Sequence, residues 1–463
     1  MKLKNMEVLR FIIGLAILCF GYPVFSQPAL QGGSFEFSKT ECLSETESEV
    51  IKTSLKKRIR ILKSEGMMPE LSLQNQVLFD WPTRLSGASK DPSYFGISHY
   101  VDHNAAVTNK IKDYNCGTRS YDLASGYNHR GLDIFSWPFG QLKQAGGVVE
   151  VIAAAEGIIL DKQDGNSDQN CGFCTTCDWN AVYILHSNGS MSWYGHLKNG
   201  SLTTKGVGAV VSRGEYLGIM ASSGSSTGPH LHFEVWADTL FTKLIDPFGG
   251  PCNDLNGTAS SWNNQRPYRR PALNKIMTGA RPPVFPACPQ PEITNEKNVF
   301  AFGDSVCVTL FYQDQLNGSN TTMQFIRPNG VVWTSWNFNS NGLYTSSYWF
   351  WNSWFLPSIT GYWKFKVTYQ TSGQVLTHTF YNGVNPPVTT LKAGTWNDAT
   401  IWSNGMVPDN NTNLFVCHPV TLNQNRTVKS MRVNESGRVI VENGIVLTVT
   451  DLLLEKANVR MVD

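Results

Sequence analysis

Apolar positions change their rhythm along this chain, and each rhythm predicts a different element. Residues 11–20 form an unbroken apolar run behind Lys2, Lys4 and Arg10, and Gly21 and Pro23 end it. With Val24-Phe25-Ser26 as a small-residue cleavage site, this layout predicts a secretory signal over residues 1–26. The run is too short for a membrane-spanning helix, which needs ~20 apolar residues. Cys19 follows Leu18 rather than a small residue, so a lipid anchor is the weaker reading. No transmembrane segment is expected once the signal is removed.

Ser44-Glu45-Thr46-Glu47 then has the spacing of a capping box, and Val50, Ile51, Leu55, Ile59 and Leu62 recur at helical intervals up to Gly66. Acidic residues lead and basic ones follow, as the helix dipole prefers. These signals predict one helix over about 44–65, within an N-terminal segment 27–115. Its basic end reads as a solvated face rather than a binding patch.

Farther on the period shortens to two. Runs at 148–152, 157–160, 181–185, 192–194, 215–220 and 231–236, separated by Gly, Asn, Asp and Ser, predict the strands of a compact antiparallel domain over 116–255. A Pro- and Arg-rich stretch marks a linker over 256–290. Alternating strands with six Trp between Trp333 and Trp363 predict a β-sandwich over 291–385. After Asn385-Pro386-Pro387, short strands carrying Val416, Val420, Leu422, Val428, Val433, Val439, Val441, Leu447 and Val449 fill 386–463. They resemble the opening rungs of a β-solenoid, although no clean repeat period can be measured. The expected fold class is therefore mainly β.

Composition narrows the range of functions. Charged residues make up 16% and aromatics 12%, which favours β-rich domains over helical bundles or disorder. A net charge of +2 provides no field to gather nucleic acid, so no nucleic-acid partner is expected. Removing the signal takes Cys19 away from ten cysteines and leaves an odd number in a protein bound for an oxidising compartment.

The chemistry concentrates between positions 129 and 232. In Pro229-His230-Leu231-His232-Phe233-Glu234-Val235, a strand sends His230, His232 and Glu234 to one face and Leu231, Phe233 and Val235 to the other. Upstream, His129-Arg130-Gly131-Leu132-Asp133 brings an imidazole and a carboxylate into one short turn, with Gly131 arguing against a helix. Imidazole and carboxylate suit Zn²⁺, and a second His would complete three protein ligands with one position open for water. Each piece alone is common. Their conjunction with Tyr194-Gly195-His196-Leu197 and Gly224-Ser225-Ser226-Thr227-Gly228 is not.

Over about 128–247 these residues resemble the lysostaphin-type (LytM-type) zinc metalloendopeptidases that cut peptidoglycan peptide bridges. The resemblance rests on His-x-x-x-Asp, Tyr-x-His-Leu, the Ser/Gly/Thr-rich loop, His-Leu-His-Phe-Glu and Asp246-Pro247, and on Val151 to Gly157 as the family's first core strand and turn. It implies an antiparallel sheet of the duplicated hybrid motif type and one catalytic Zn²⁺ held by His129, Asp133 and His232. His196 and His230 become the non-ligating catalytic pair, one holding or deprotonating water and the other stabilising the oxyanion or protonating the leaving amine. Glu234 takes a structural role. The implied substrates are peptidoglycan stem or bridge peptides, met outside the cytoplasm after signal cleavage.

Two departures from the family pattern stand out. Cys171, Cys174 and Cys177 sit in an insertion, and with Cys116 they suit disulfides better than a second, structural zinc site. In related enzymes a long N-terminal stretch can shield the cleft, but no residue of this one identifies itself as a shield. Cys252 with Cys288 is a candidate pin for the linker, the connectivity of the disulfides is not derivable from spacing, and Cys42, Cys307 and Cys417 are left without an assigned partner. Trp193 and Tyr194 are candidates for lining a substrate groove.

In the accessory regions, Trp349-Phe350-Trp351 and Trp354-Phe355 read first as sandwich core and second as a glycan-stacking platform. The run 361–367 looks like a strand of an immunoglobulin-like domain, and 394–402 resembles modules of secreted proteins of the Bacteroidetes group. A non-catalytic cell-wall binder or hydrolase activator, and an adhesin carrying a peptidase-like domain, are the competing functions. Retention of all five site residues favours the enzyme.

Overall fold

The architecture is that of a computed structural model, which describes residues 31–36, 39–68, 76–87, 89–106, 110–174, 176–454 and 459–461. The expected signal, 1–26, lies outside the described residues. The expected fold class holds: strands dominate, and the expected helix spans Glu45–Ser64. Ser44 caps it, with its Oγ accepting from the Glu47 amide at 3.2 Å while the Glu47 carboxylate accepts from the Ser44 amide at 2.8 Å. Leu55 and Leu62 on its apolar stripe are buried in a core shared with Ile158, Leu160 and Trp179, so the helix lies on the strand Gly157–Gln163. A second helix, Gly140–Ala145, escapes sequence reading because six residues are too few to show a period.

The central sheet is antiparallel, in the order Phe95–His99, Leu132–Ser136, His230–Trp236, Met191–Gly195, Ala181–Leu185, Gly157–Gln163, Val210–Val211. A smaller sheet of Tyr216–Ile219, Val149–Ile152 and Thr83–Leu85 packs against it. Between them Leu231, Phe233 and Val235 enter a core with Val151, Ile184 and Tyr194. Burying these side chains at roughly 1.5–3 kcal/mol each fixes the strand's register, because a slip by one residue would invert its faces.

Two further sheets form the sandwich. One runs Gln31–Ser34, Tyr344–Phe355, Ser305–Gln315, Ala272–Gly279, and the other Val299–Phe300, Gln374–Asn382, Gly361–Tyr369, Asn320–Ile326, Val332–Asn339. Part of the stretch expected as linker is thus a strand, Ala272–Gly279, and the N-terminal segment adds an edge strand. Trp349, Trp351, Trp354 and Trp363 are core, so the first reading of the aromatic cluster is the one the fold realises. Beyond 388, two sheets of parallel strands stack Val420 on Val439 and Leu414 on Met431 in solenoid fashion. No helix among the described residues is long and apolar enough to cross a membrane.

Disulfides join Cys116 to Cys252, Cys171 to Cys288 and Cys174 to Cys177. The expected Cys252–Cys288 pin is not formed. Chain paths decide this: the Cys252 amide donates to the Tyr114 carbonyl at 2.9 Å, which brings it to Cys116, while Cys288 lies beside the Asn170 carbonyl next to Cys171. Cys42, Cys307 and Cys417 are buried free thiols.

Candidate active site

Sheet register assembles the site. His232 stands opposite Asp133 on one neighbouring strand and opposite Gly195 on the other, so His196 follows immediately beyond the strand end. His129 precedes the Asp133 strand by a turn that needs Gly131, where a Cβ would lie 2.5 Å from His232 Cε1. Every residue of His230–Trp236 is buried, polar ones included. Buried polar groups require partners, and these have them.

The His129 Nδ1–H donates to the Tyr100 carbonyl at 2.8 Å, which turns its Nε2 lone pair toward Asp133 Oδ2 at 3.0 Å. His232 has Nδ1 3.0 Å from Asp133 Oδ1 and Nε2 3.1 Å from Glu234 Oε2. Trp236 Nε1–H donates to the other Glu234 oxygen at 2.7 Å and holds that carboxylate in place. Glu234 thus lies fixed between Trp236 and the His232 ring. Lone pairs of nitrogen and carboxylate oxygen facing each other at 3 Å repel unless a cation lies among them. The donor set of two imidazoles and one carboxylate, clustered within 4.8 Å, fits a metal ion.

Without metal, protonation supplies that charge. Burial disfavours the imidazolium of His129, but Asp133 outweighs it and moves the ring up to about 9. Burial likewise opposes charge on His232, yet Asp133, Cys42 and Glu234 hold it well above the usual range. Asp133 is kept well below the ordinary carboxylate range against its burial, chiefly by His129 and His230.

His196 and His230 stand beside this trio with ring centroids 4.3 Å apart. His196 has a left-handed φ of 64°, a conformation that costs about 1–3 kcal/mol in a non-glycine residue and persists only where its surroundings enforce it. Its Nδ1–H donates to the Ser223 carbonyl at 2.6 Å, and its buried Nε2 has no hydrogen-bond partner. His230 Nδ1–H donates to the Gly228 carbonyl at 2.8 Å, leaving Nε2 3.8 Å from Asp133 Oδ1. Burial and the neighbouring His230 push His196 down, whereas for His230 Asp133 outweighs burial and pushes it up.

The Ser/Gly loop is braced rather than free: Ser225 Oγ accepts from the Cys174 amide at 3.0 Å and donates to its carbonyl at 2.9 Å. Trp193 and Tyr194 do not line a groove, since both are fully buried and the Tyr194 hydroxyl accepts from the Ala154 amide. Asp246 lies apart from the cluster, paired with His103 at 2.9 Å. Residues not singled out from sequence also reach the site. His99 Nδ1 is 3.4 Å from Asp133 Oδ2, and its position at the end of an alternating run was the one available signal. Cys42 Sγ falls within 4.8 Å of the donor atoms of both groups, Asp133 with its imidazoles and the His196–His230 pair, and nothing in its spacing announced it.

Residues 127–247 match the model of Peptidase family M23. An uncharacterised metalloprotease of Buchnera aphidicola subsp. Baizongia pistaciae is 31% identical over 119 residues, 26% of this chain and 25% of that protein. The chain thus spans about a quarter of this curated relative's length. A zinc-containing peptidase from Vibrio cholerae is 20% identical, with 37% of this chain and 39% of that chain covered at a TM-score of 0.23. The catalytic domain of a mutant of the prophage-encoded M23 protein EnpA from Enterococcus faecalis is also 20% identical, covering 35% and 94% at 0.22. The resemblance read from the sequence is borne out by the family match, whose span includes all five expected site residues. That match supports a metallopeptidase function and implies a metal.

Proposed function

From the M23 match we propose that this protein is a secreted, zinc-dependent endopeptidase that hydrolyses peptide cross-links of bacterial peptidoglycan. His129 Nε2, Asp133 and His232 Nδ1 would hold one Zn²⁺, with Glu234 fixing the His232 ring. When bound, zinc supplies a Lewis acid that polarises the scissile carbonyl and lowers the pKa of a water. His196 and His230 both turn Nε2 lone pairs into the site, because backbone carbonyls take their Nδ1 protons. One of them accepts the proton of the attacking water, and the other, once protonated, delivers a proton to the leaving amine. Tight backbone bonds keep both rings aimed, which spares reorganisation during the reaction.

The observation that carries this reading is the convergence of three ligand-type side chains and two proton-carrying imidazoles in one buried cluster. Three disulfides accord with an extracytoplasmic site of action. Zinc analysis of the purified chain and mass-spectrometric digestion of defined muropeptides beside glycine-rich peptides test it. One equivalent of zinc with cleavage within stem or bridge peptides is expected. Zinc without cleavage of any peptide, even after residues 27–43 ahead of the helix are removed, would favour the non-catalytic wall-binding reading.

A further inference from the structure

The segment before the helix crosses the site. Gln31–Ser34 pairs with the sandwich strand Tyr344–Phe355, and the Phe35 amide continues that pairing by donating to the Ser346 carbonyl at 3.0 Å. Closer in, the Tyr121 hydroxyl donates to the Thr40 carbonyl at 2.7 Å, Arg130 Nη2 donates to the Leu43 carbonyl at 3.2 Å, and Arg130 Nη1 meets Glu45 at 2.6 Å. The helix then docks on the central sheet. Cys42 is carried between these anchorages, 3% exposed, with Sγ 3.9 Å from His230 Nε2 and 3.3 Å from the Tyr121 hydroxyl.

Two observations give this placement chemical meaning. Cys42 Sγ clusters with His129, Asp133 and His232, and equally with His196 and His230, and the buried His196 Nε2 directed into the same space lacks a hydrogen-bond partner. The cavity remaining among Thr40, Cys42, His99 and His230 measures about 10 Å³. That is at the lower limit for one water and far below the room a peptide needs. Larger cavities lie at either end of the segment, of about 400 Å³ beside Cys42 and Val50 and about 280 Å³ beside Lys39 and Arg119.

We propose that the Cys42 thiolate is the fourth ligand of the metal, closing the open coordination position and holding the enzyme latent while residues 39–43 occupy the place of the peptide substrate. The inference rests on the zinc site proposed above. Three side-chain ligands leave a catalytic zinc open, whereas a fourth, thiolate ligand makes it a closed site of the structural kind. On closing, a Zn–S bond forms, the thiol proton passes to solvent and a water departs. Opening reverses each change: the Zn–S bond breaks, sulfur takes up a proton, and water regains the position. Cleavage of the chain between Cys42 and the central sheet, or alkylation of the thiol, makes opening permanent.

The test uses the full chain after residue 26, loaded with Co²⁺ in place of Zn²⁺. The native protein should show a thiolate-to-cobalt charge-transfer band that Cys42→Ser lacks, while both bind one equivalent of metal. If the open form is below about a tenth of the population, Cys42→Ser should cleave peptide about tenfold faster or more. In the native zinc form, iodoacetamide should spare Cys42 and label it after chelation, with the buried Cys307 and Cys417 as internal references. A metal-loaded native protein without the band, or equal labelling of Cys42 with and without metal, overturns the inference and leaves the zinc site standing. Failure of both proteins to bind metal overturns the site itself. Should Cys42→Ser not fold, the labelling of the native chain decides alone.

Discussion

The strands His230–Trp236 and Tyr344–Phe355 share an alternating pattern and put it to opposite uses. In the second, one face carries Trp349, Trp351 and Trp354 into the sandwich core, while Phe355 on the other face is 59% exposed. In the first, both faces are buried: Leu231, Phe233 and Val235 in the core, and His230, His232 and Glu234 in a cluster of charge. Burying ionisable groups costs several kcal/mol per ion unless each is paired. A strand that spends stability this way, where the other does not, is the one on which the proposed metal site rests.

The contrast can be broken or sharpened by substitution. The largest effect is expected from His129→Ala or His232→Ala, which should abolish both metal binding and peptide cleavage; metal retained by either variant would make the polar face mere packing. His230→Ala should keep one equivalent of metal yet lose turnover by about 10²–10⁴-fold, and loss of metal there would merge the pair with the ligands. On the other strand, Trp351→Ala should destabilise the protein by about 3–5 kcal/mol in denaturant melts while metal stoichiometry holds. Smallest is Glu234→Gln, expected to weaken metal affinity about 10–100-fold in competition with a chelator, because only the orientation of His232 is disturbed.

Much of this was legible in the sequence wherever local geometry rules. The pleat dictates that His230, His232 and Glu234 share a face, and the capping box at Ser44 fixes the start of the helix within a residue. The solenoid strands were visible as short apolar alternations, although their pairing partners were not. What stayed hidden depends on where distant chain segments pass. Nothing around Cys252 states that its backbone is tied to Tyr114 and hence to Cys116. Trp193 and Tyr194 look like groove residues until the second sheet and the helix cover them. Cys42 lies far in sequence from every histidine it meets, so no spacing rule could reach it.

The edge strand Gln31–Ser34 gives this arrangement a property that no freely diffusing inhibitor has. Because the sandwich grips the chain on one side of Cys42 and the central sheet grips it on the other, the sulfur is presented at an effective concentration set by the fold rather than by the amount of protein. Short tethers of this kind correspond to millimolar or higher concentrations. Dilution into a culture medium therefore does not release it, and small thiols compete poorly. The sandwich, remote from the chemistry, becomes part of the lock.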